Sequence, residues 1–161
     1  MAKASAGPVR YAVVGLGHIA QVAVLPAFAH AKRNSRLTAL VSDDPRKRQL
    51  VSRKYRTDQT FSYDDYDACL EAVDAVYIAL PNSMHAEYTI RAAEAGVHVI
   101  CEKPMAVTAK ECEAMIDACR RHRVKLMIAY RLHFEEITSA SSISCARAAL
   151  ASPSSSTRRF R

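Results

Sequence analysis

Tryptophan is absent from the 161 residues, and glycine occurs only four times, at positions 7, 15, 17 and 96. So little glycine excludes a collagen-like or low-complexity chain, and it gives weight to each position where one stands. No apolar stretch approaches the ~20 residues of a helical membrane span. Runs such as Ala75 to Pro81 are far shorter, so no membrane partner is expected. Residues Met1 to Arg10 have no apolar core segment, so no secretory signal is expected and the chain is read as cytoplasmic. The five cysteines, Cys69, Cys101, Cys112, Cys119 and Cys145, form no C-x-x-C pair and pair with no histidines. This argues for reduced thiols and against a metal site. No ladder of aromatics runs between the basic clusters Arg46-Lys47-Arg48, Arg120-Arg121-His122-Arg123 and Arg158-Arg159, as a single-strand-binding groove would need. The net charge of +7 then warrants only non-specific attraction to polyanions, and no nucleic-acid partner is expected.

What remains is an ordinary packed chain, 50% hydrophobic and 24% charged, with room for about one domain. Short apolar runs at Val9–Val14, Leu37–Val41, Ala75–Leu80, Val97–Cys101 and Lys125–Ala129 read as strands, with a weaker one near Thr60-Phe61. Between them, helical patterns cover Gly17 to about Ala31, Arg46–Tyr55, Tyr63–Ala72, Ser83–Ala95 and Thr108–His122. Pro26 should kink or shorten the first of these. Thr108 with Glu111 makes a capping box for the last, whose inward face is expected to carry Cys112, Met115, Ile116 and Cys119. This alternation predicts an α/β fold, a doubly wound parallel sheet of the Rossmann type with about six strands.

Four motifs fall at strand ends. Gly15-Leu16-Gly17-His18-Ile19-Ala20 is a G-x-G-x-x-A between the first strand and the first helix. There Gly15 permits the tight turn, Gly17 lets a pyrophosphate approach the backbone, and Ala20 allows close helix packing. The second strand ends at Ser42 with Asp43, Asp44 and Arg46-Lys47-Arg48 behind it, where an NAD-binding domain usually has an acid. A serine with cations nearby suits a 2′-phosphate, although Asp43 could still serve a ribose. Leu80-Pro81-Asn82-Ser83-Met84-His85 follows the fourth strand, and His85 is read as a cofactor contact. Glu102-Lys103-Pro104 follows the fifth, where the Lys103 ammonium could hydrogen-bond a substrate hydroxyl during hydride transfer.

In this order the motifs resemble the glucose–fructose oxidoreductase, inositol dehydrogenase and rhizopine-catabolism family (Gfo/Idh/MocA), over about Val9 to Glu136. ALVSDDPRKR and YIALPNSMHAEY are most similar to the glucose–fructose oxidoreductase branch, which holds NADP tightly. The resemblance implies that Gly15, Gly17, His18 and Ile19 line the pyrophosphate and that Ser42 and Lys47 meet the 2′-phosphate. It places Tyr63 beside the adenosine. Leu80, Pro81, Asn82 and His85 would border the nicotinamide-side ribose, with Glu102, Lys103 and Arg131 nearby. Lys103 takes the catalytic role, and Lys103–Pro104 is a candidate cis bond. NADP is the implied cofactor, with NAD the alternative, and the parent substrate is a sugar or polyol CH–OH.

The domain boundaries expected are an arm over 1–8, the Rossmann domain over 9–136 and a tail over 137–161. Family-like sequence stops at Glu136, where a Ser/Ala/Arg mixture begins. Residues from about Ile137 are expected to be out of frame, a truncation scar or a disordered tail. The family's second α/β domain would then be absent, and with it most of the substrate site and the native oligomer interface. Exposed packing faces would favour association. Turnover is expected to be little or none. The rival reading is a non-catalytic dinucleotide-binding module that acts with a partner subunit.

Overall fold

A computed structural model describes residues 7–57 and 59–130. All the secondary structure described lies in the compact unit that ends at Ala129. Six parallel strands make one sheet: β1 (Val9–Val14), β2 (Ser35–Val41), β3 (Gln59–Phe61), β4 (Ala75–Ile78), β5 (His98–Cys101) and β6 (Leu126–Ile128). Their spatial order is β3-β2-β1-β4-β5-β6. The chain therefore winds outward from β1 in one direction and from β4 in the other. The carboxyl ends of β1 and β4 form the switch point, where a doubly wound sheet opens a ligand crevice.

Alternation along the strands sorts the core into two layers. Ala12, Val14, Ala39, Val41, Val76 and Ile78 face one side, under α3 (Tyr66–Glu71), α4 (Asn82–Glu94) and α5 (Ala109–Arg121). Val13, Leu40 and Ala79 face the other, packed with Ala20, Val24 and Leu25 and with Val51 of α2 (Pro45–Tyr55). At the amino ends of the strands, Asp74 is 4% exposed. It accepts from the Arg10 amide at 2.9 Å, from Nε at 3.0 Å and from Nη2 at 2.7 Å. This locks β1 to β4 at the end away from the crevice.

The first helix departs from expectation. In place of one helix over residues 17–31, a π-helical turn, Ala20–Val24, leads into α1, the three residues Leu25–Ala27. Pro26 explains the break. It has no amide to donate, and its ring crowds the carbonyl four residues earlier. The turn widens, and the Leu25 amide reaches back five residues to the Ala20 carbonyl. In α5 the capping box is present as expected, but the inward face differs. Met115, Ala118 and Cys119 are buried, whereas Ile116 is 43% exposed. Ile116 lies about 100° around the helix from Met115, off the i, i+3, i+4 stripe that meets α4.

Candidate functional site

The β1 exit turn is shaped by contact with β4. Gly15 has φ +91°, and a side chain there would put its Cβ 2.6 Å from the Ala79 carbonyl oxygen and 3.0 Å from Leu80 Cδ2. Only glycine fits such a place. At Gly17 nothing lies within 4 Å of where a Cβ would stand. Leu16 anchors the turn in the core, and its carbonyl accepts from Gln21 Nε2 at 2.8 Å. Gly17 and His18 are exposed and Ile19 is half-buried, immediately before the π-helical turn. The result is an open cradle beside a helical amino end, the geometry that receives phosphate oxygens.

At the β2 exit, Ser42 is buried, and its carbonyl accepts from Arg48 Nη1 at 2.6 Å. Its hydroxyl accepts from the Asp44 amide at 3.3 Å. Asp43 turns toward the β3 exit, where Oδ1 accepts from the Tyr63 amide at 2.8 Å. Asp44 caps α2 by accepting from the Lys47 amide at 3.0 Å, which holds the carboxyl below its ordinary range with help from the nearby Lys47 charge. The Lys47 ammonium lies 3.8 Å from that same carboxylate. Arg48, unlike Lys47, is therefore fastened to the strand end. Tyr63 packs edge-on against Tyr88, with ring centroids 5.8 Å apart.

The β4 and β5 exits meet through side chains. His85, 1% exposed in the first turn of α4, places Nδ1 2.9 Å from the Pro104 carbonyl oxygen and Nε2 2.9 Å from that of Leu80. Glu102 is 8% exposed. Its Oε1 accepts from the Tyr77 hydroxyl at 2.8 Å and its Oε2 from the Lys103 amide at 3.3 Å. Lys103 is exposed and, among the described residues, has no ion-pair partner. The Lys103–Pro104 bond is cis. Leu80 is buried, while Pro81 and Asn82 are exposed where α4 begins.

The structure thus gathers Gly15, Leu80, His85, Glu102 and Lys103 around adjoining strand exits. It links Ser42 to Tyr63 through neighbouring Asp43 and Phe61, and it leaves Lys47 paired with Asp44. Arg131 lies outside the described residues, as does Cys145. Two residues went unassigned in the sequence. Tyr77 was hidden in an apolar run, and Arg48 belonged to a basic run in which Lys47 was preferred. The open cradle at Gly17, the guanidinium at Ser42 and the Lys103 ammonium, which has no ion pair among the described residues, line adjoining strand exits where anionic groups of a ligand would be held. Among the described residues, no group of three or more His, Cys, Asp or Glu could hold a metal ion. No helix among them is long and apolar enough to cross a membrane.

Known proteins resemble this chain in sequence and in fold. The sequence model GFO_IDH_MocA, described as an oxidoreductase family with an NAD-binding Rossmann fold, matches residues 9–130. A D-xylose 1-dehydrogenase [NADP(+)] of Haloarcula marismortui is 38% identical over 135 residues, which are 82% of this chain and 37% of that protein. An aldose-aldose oxidoreductase from Caulobacter crescentus, solved with glycerol, aligns with a TM-score of 0.81 and 42% identity. The alignment covers 88% of this chain and 43% of that one. A 3-ketoreductase from Actinomadura kijaniata, solved with TDP-benzene and NADP, aligns at 0.78 with 28% identity, over 87% and 44% of the two chains. The chain therefore spans less than half the length of each of these relatives.

Proposed function

This chain belongs to the Gfo/Idh/MocA oxidoreductase family and carries its NAD(P)-binding Rossmann fold, and on that premise we propose that it binds NADP in preference to NAD. The observation that carries the reading is the Arg48 guanidinium, fastened at 2.6 Å to the carbonyl of Ser42 at the β2 exit. A guanidinium there meets a 2′-phosphate with charge-assisted hydrogen bonds, while the Ser42 side chain adds no opposing charge. The cradle at Gly17 takes the pyrophosphate, with His18 and Ile19 beside it. Tyr63 flanks the adenosine, and Pro81 and Asn82 border the nicotinamide-side ribose. A relative named for NADP(+) supports the same choice.

The reaction served by this site is hydride transfer between a sugar or polyol CH–OH and the dinucleotide. The nicotinamide, when bound, supplies or accepts the hydride. Lys103 provides an ammonium that hydrogen-bonds the reacting hydroxyl oxygen and stabilises its alkoxide character. Cofactor binding is the activity we propose for this chain, which spans 37% of the length of the D-xylose 1-dehydrogenase.

Titration calorimetry with NADP and with NAD tests the proposal, because the chain has no tryptophan to report binding. Saturable NADP binding, at least about tenfold tighter than NAD, is the expected result. Equal affinities would remove the NADP assignment, and no binding of either would remove the reading itself.

A further inference from the structure

We propose that His85 is a positioning residue for Lys103, and that its imidazole donates from both ring nitrogens, to Leu80 on one side and Pro104 on the other. The two carbonyls belong to different segments. Leu80 lies just beyond β4, and Pro104 lies just beyond Lys103 on the β5 exit. Each stands 2.9 Å from its ring nitrogen, and the ring is 1% exposed, so water cannot substitute for either. A carbonyl oxygen only accepts, and a neutral imidazole has one N–H. Holding both carbonyls therefore requires a proton on each nitrogen.

With a proton on only one nitrogen, the other would set a bare lone pair against a carbonyl oxygen at the distance of a hydrogen bond. The consequence falls on Lys103. Its ammonium has no ion pair among the described residues, so its place is set by its neighbours in the chain. Glu102 on one side is held by Tyr77, and Pro104 on the other is held by His85. Without the imidazole, one support of the loop is lost.

The tie stands on geometry alone, while its effect on ligand rests on the dinucleotide reading above. NMR of the unaltered chain with 15N-labelled histidine tests the tie directly. One of the six histidines should show one-bond proton coupling on both ring nitrogens with slow solvent exchange at neutral pH, and His85→Gln should remove that ring's signals. If no histidine shows it, the tie is overturned whether or not the variant folds.

Calorimetry tests the positioning role. His85→Gln should weaken NADP binding about tenfold, the worth of one hydrogen bond, and should add nothing in a chain already carrying Lys103→Ala. Additive losses would mean that His85 does not act through Lys103. A doubly protonated ring in a chain that binds no dinucleotide would overturn the functional reading and leave the tie. Dinucleotide binding with a singly protonated His85 would overturn the tie and leave the reading.

Discussion

The Tyr77 hydroxyl on β4 donates to Glu102 Oε1 at 2.8 Å, tying β4 to the residue that follows β5. Glu102 is 8% exposed, so the lost donor would not be fully replaced by water. Tyr77→Phe removes the hydroxyl and keeps the ring. Hydrogen bonds to charged groups contribute about 1.5–3 kcal/mol, and a half-buried phenol belongs at the low end. Urea unfolding should show an earlier midpoint with an unchanged slope. Superimposable curves would mean that the bond contributes nothing.

Gly15 and Gly17 stand two residues apart and should respond to alanine in opposite ways. At Gly15, positive φ and a Cβ 2.6 Å from a backbone oxygen add strain to a clash that no rotamer relieves. A strained conformation alone costs about 1–3 kcal/mol, and the clash adds to it, a large share of a domain's ~5–15 kcal/mol. Gly15→Ala should therefore lower the melting temperature sharply or abolish folding. Gly17→Ala meets no neighbour and no positive φ, so melting should hold or rise slightly. Its methyl would stand in the cradle, however, and NADP affinity should fall at least about tenfold. Calorimetry and thermal melting on both variants separate the two roles. A Gly17→Ala chain that binds normally would place the pyrophosphate elsewhere.

The contrast also shows what the sequence made legible. The G-x-G-x-x-A signature, the apolar runs and the capping box are local, and each appears in the fold within a few residues of where it was read. Side-chain partners are not local. Tyr77 lay in the run AVYIAL and read as core. Its hydroxyl finds Glu102 only because Tyr77 pairs with Ile100, two residues before it. Arg48 and Lys47 are neighbours in one basic run, about 100° apart on the helix. The start of α2 at Pro45 decides which of them swings back to Ser42. His85 was read toward the cofactor, while both its nitrogens face backbone carbonyls that no motif specifies.

The cysteines predict a pH dependence. Burial pushes the thiols of Cys69 and Cys101 from an ordinary value near 9 up to about 12, and pushes Cys119 in the same direction. The unfolded chain releases these protons first, so stability is fully present below about pH 9 and drains away as pH rises toward 12. Burial raises the Tyr66 phenol as well, and it acts in the same sense at higher pH. Urea midpoints should fall across this window, and less steeply in a chain carrying Cys69→Ala and Cys101→Ala. In the folded chain, a thiol reagent near neutral pH should label half-exposed Cys112 well before Cys69, Cys101 or Cys119. Peptide mapping by mass spectrometry checks this order. Early labelling of Cys69 would mean that the α3 side of the core opens readily.

In the NADP reading proposed above, cofactor choice turns on which cation stands at the β2 exit. The resemblance pointed to Lys47, whose ammonium is exposed and lies 3.8 Å from the Asp44 carboxylate. An exposed pair of this kind holds its lysine weakly, so Lys47 remains free to swing and contributes only a loosely placed charge. Arg48 is bound to the Ser42 carbonyl through one nitrogen, leaving its other donors for a phosphate. Arg48→Ala should cost NADP affinity about tenfold or more and leave NAD affinity nearly unchanged, since NAD has no 2′-phosphate to lose. Lys47→Ala should cost NADP only a few-fold. The measurement is the ratio of NADP to NAD dissociation constants in both variants, and the ratio matters more than either value. General damage to α2, whose first turn Arg48 helps fasten to β2, would weaken both ligands together. If Lys47→Ala collapses the ratio and Arg48→Ala spares it, the phosphate sits on the lysine, and Arg48 is a brace between α2 and β2.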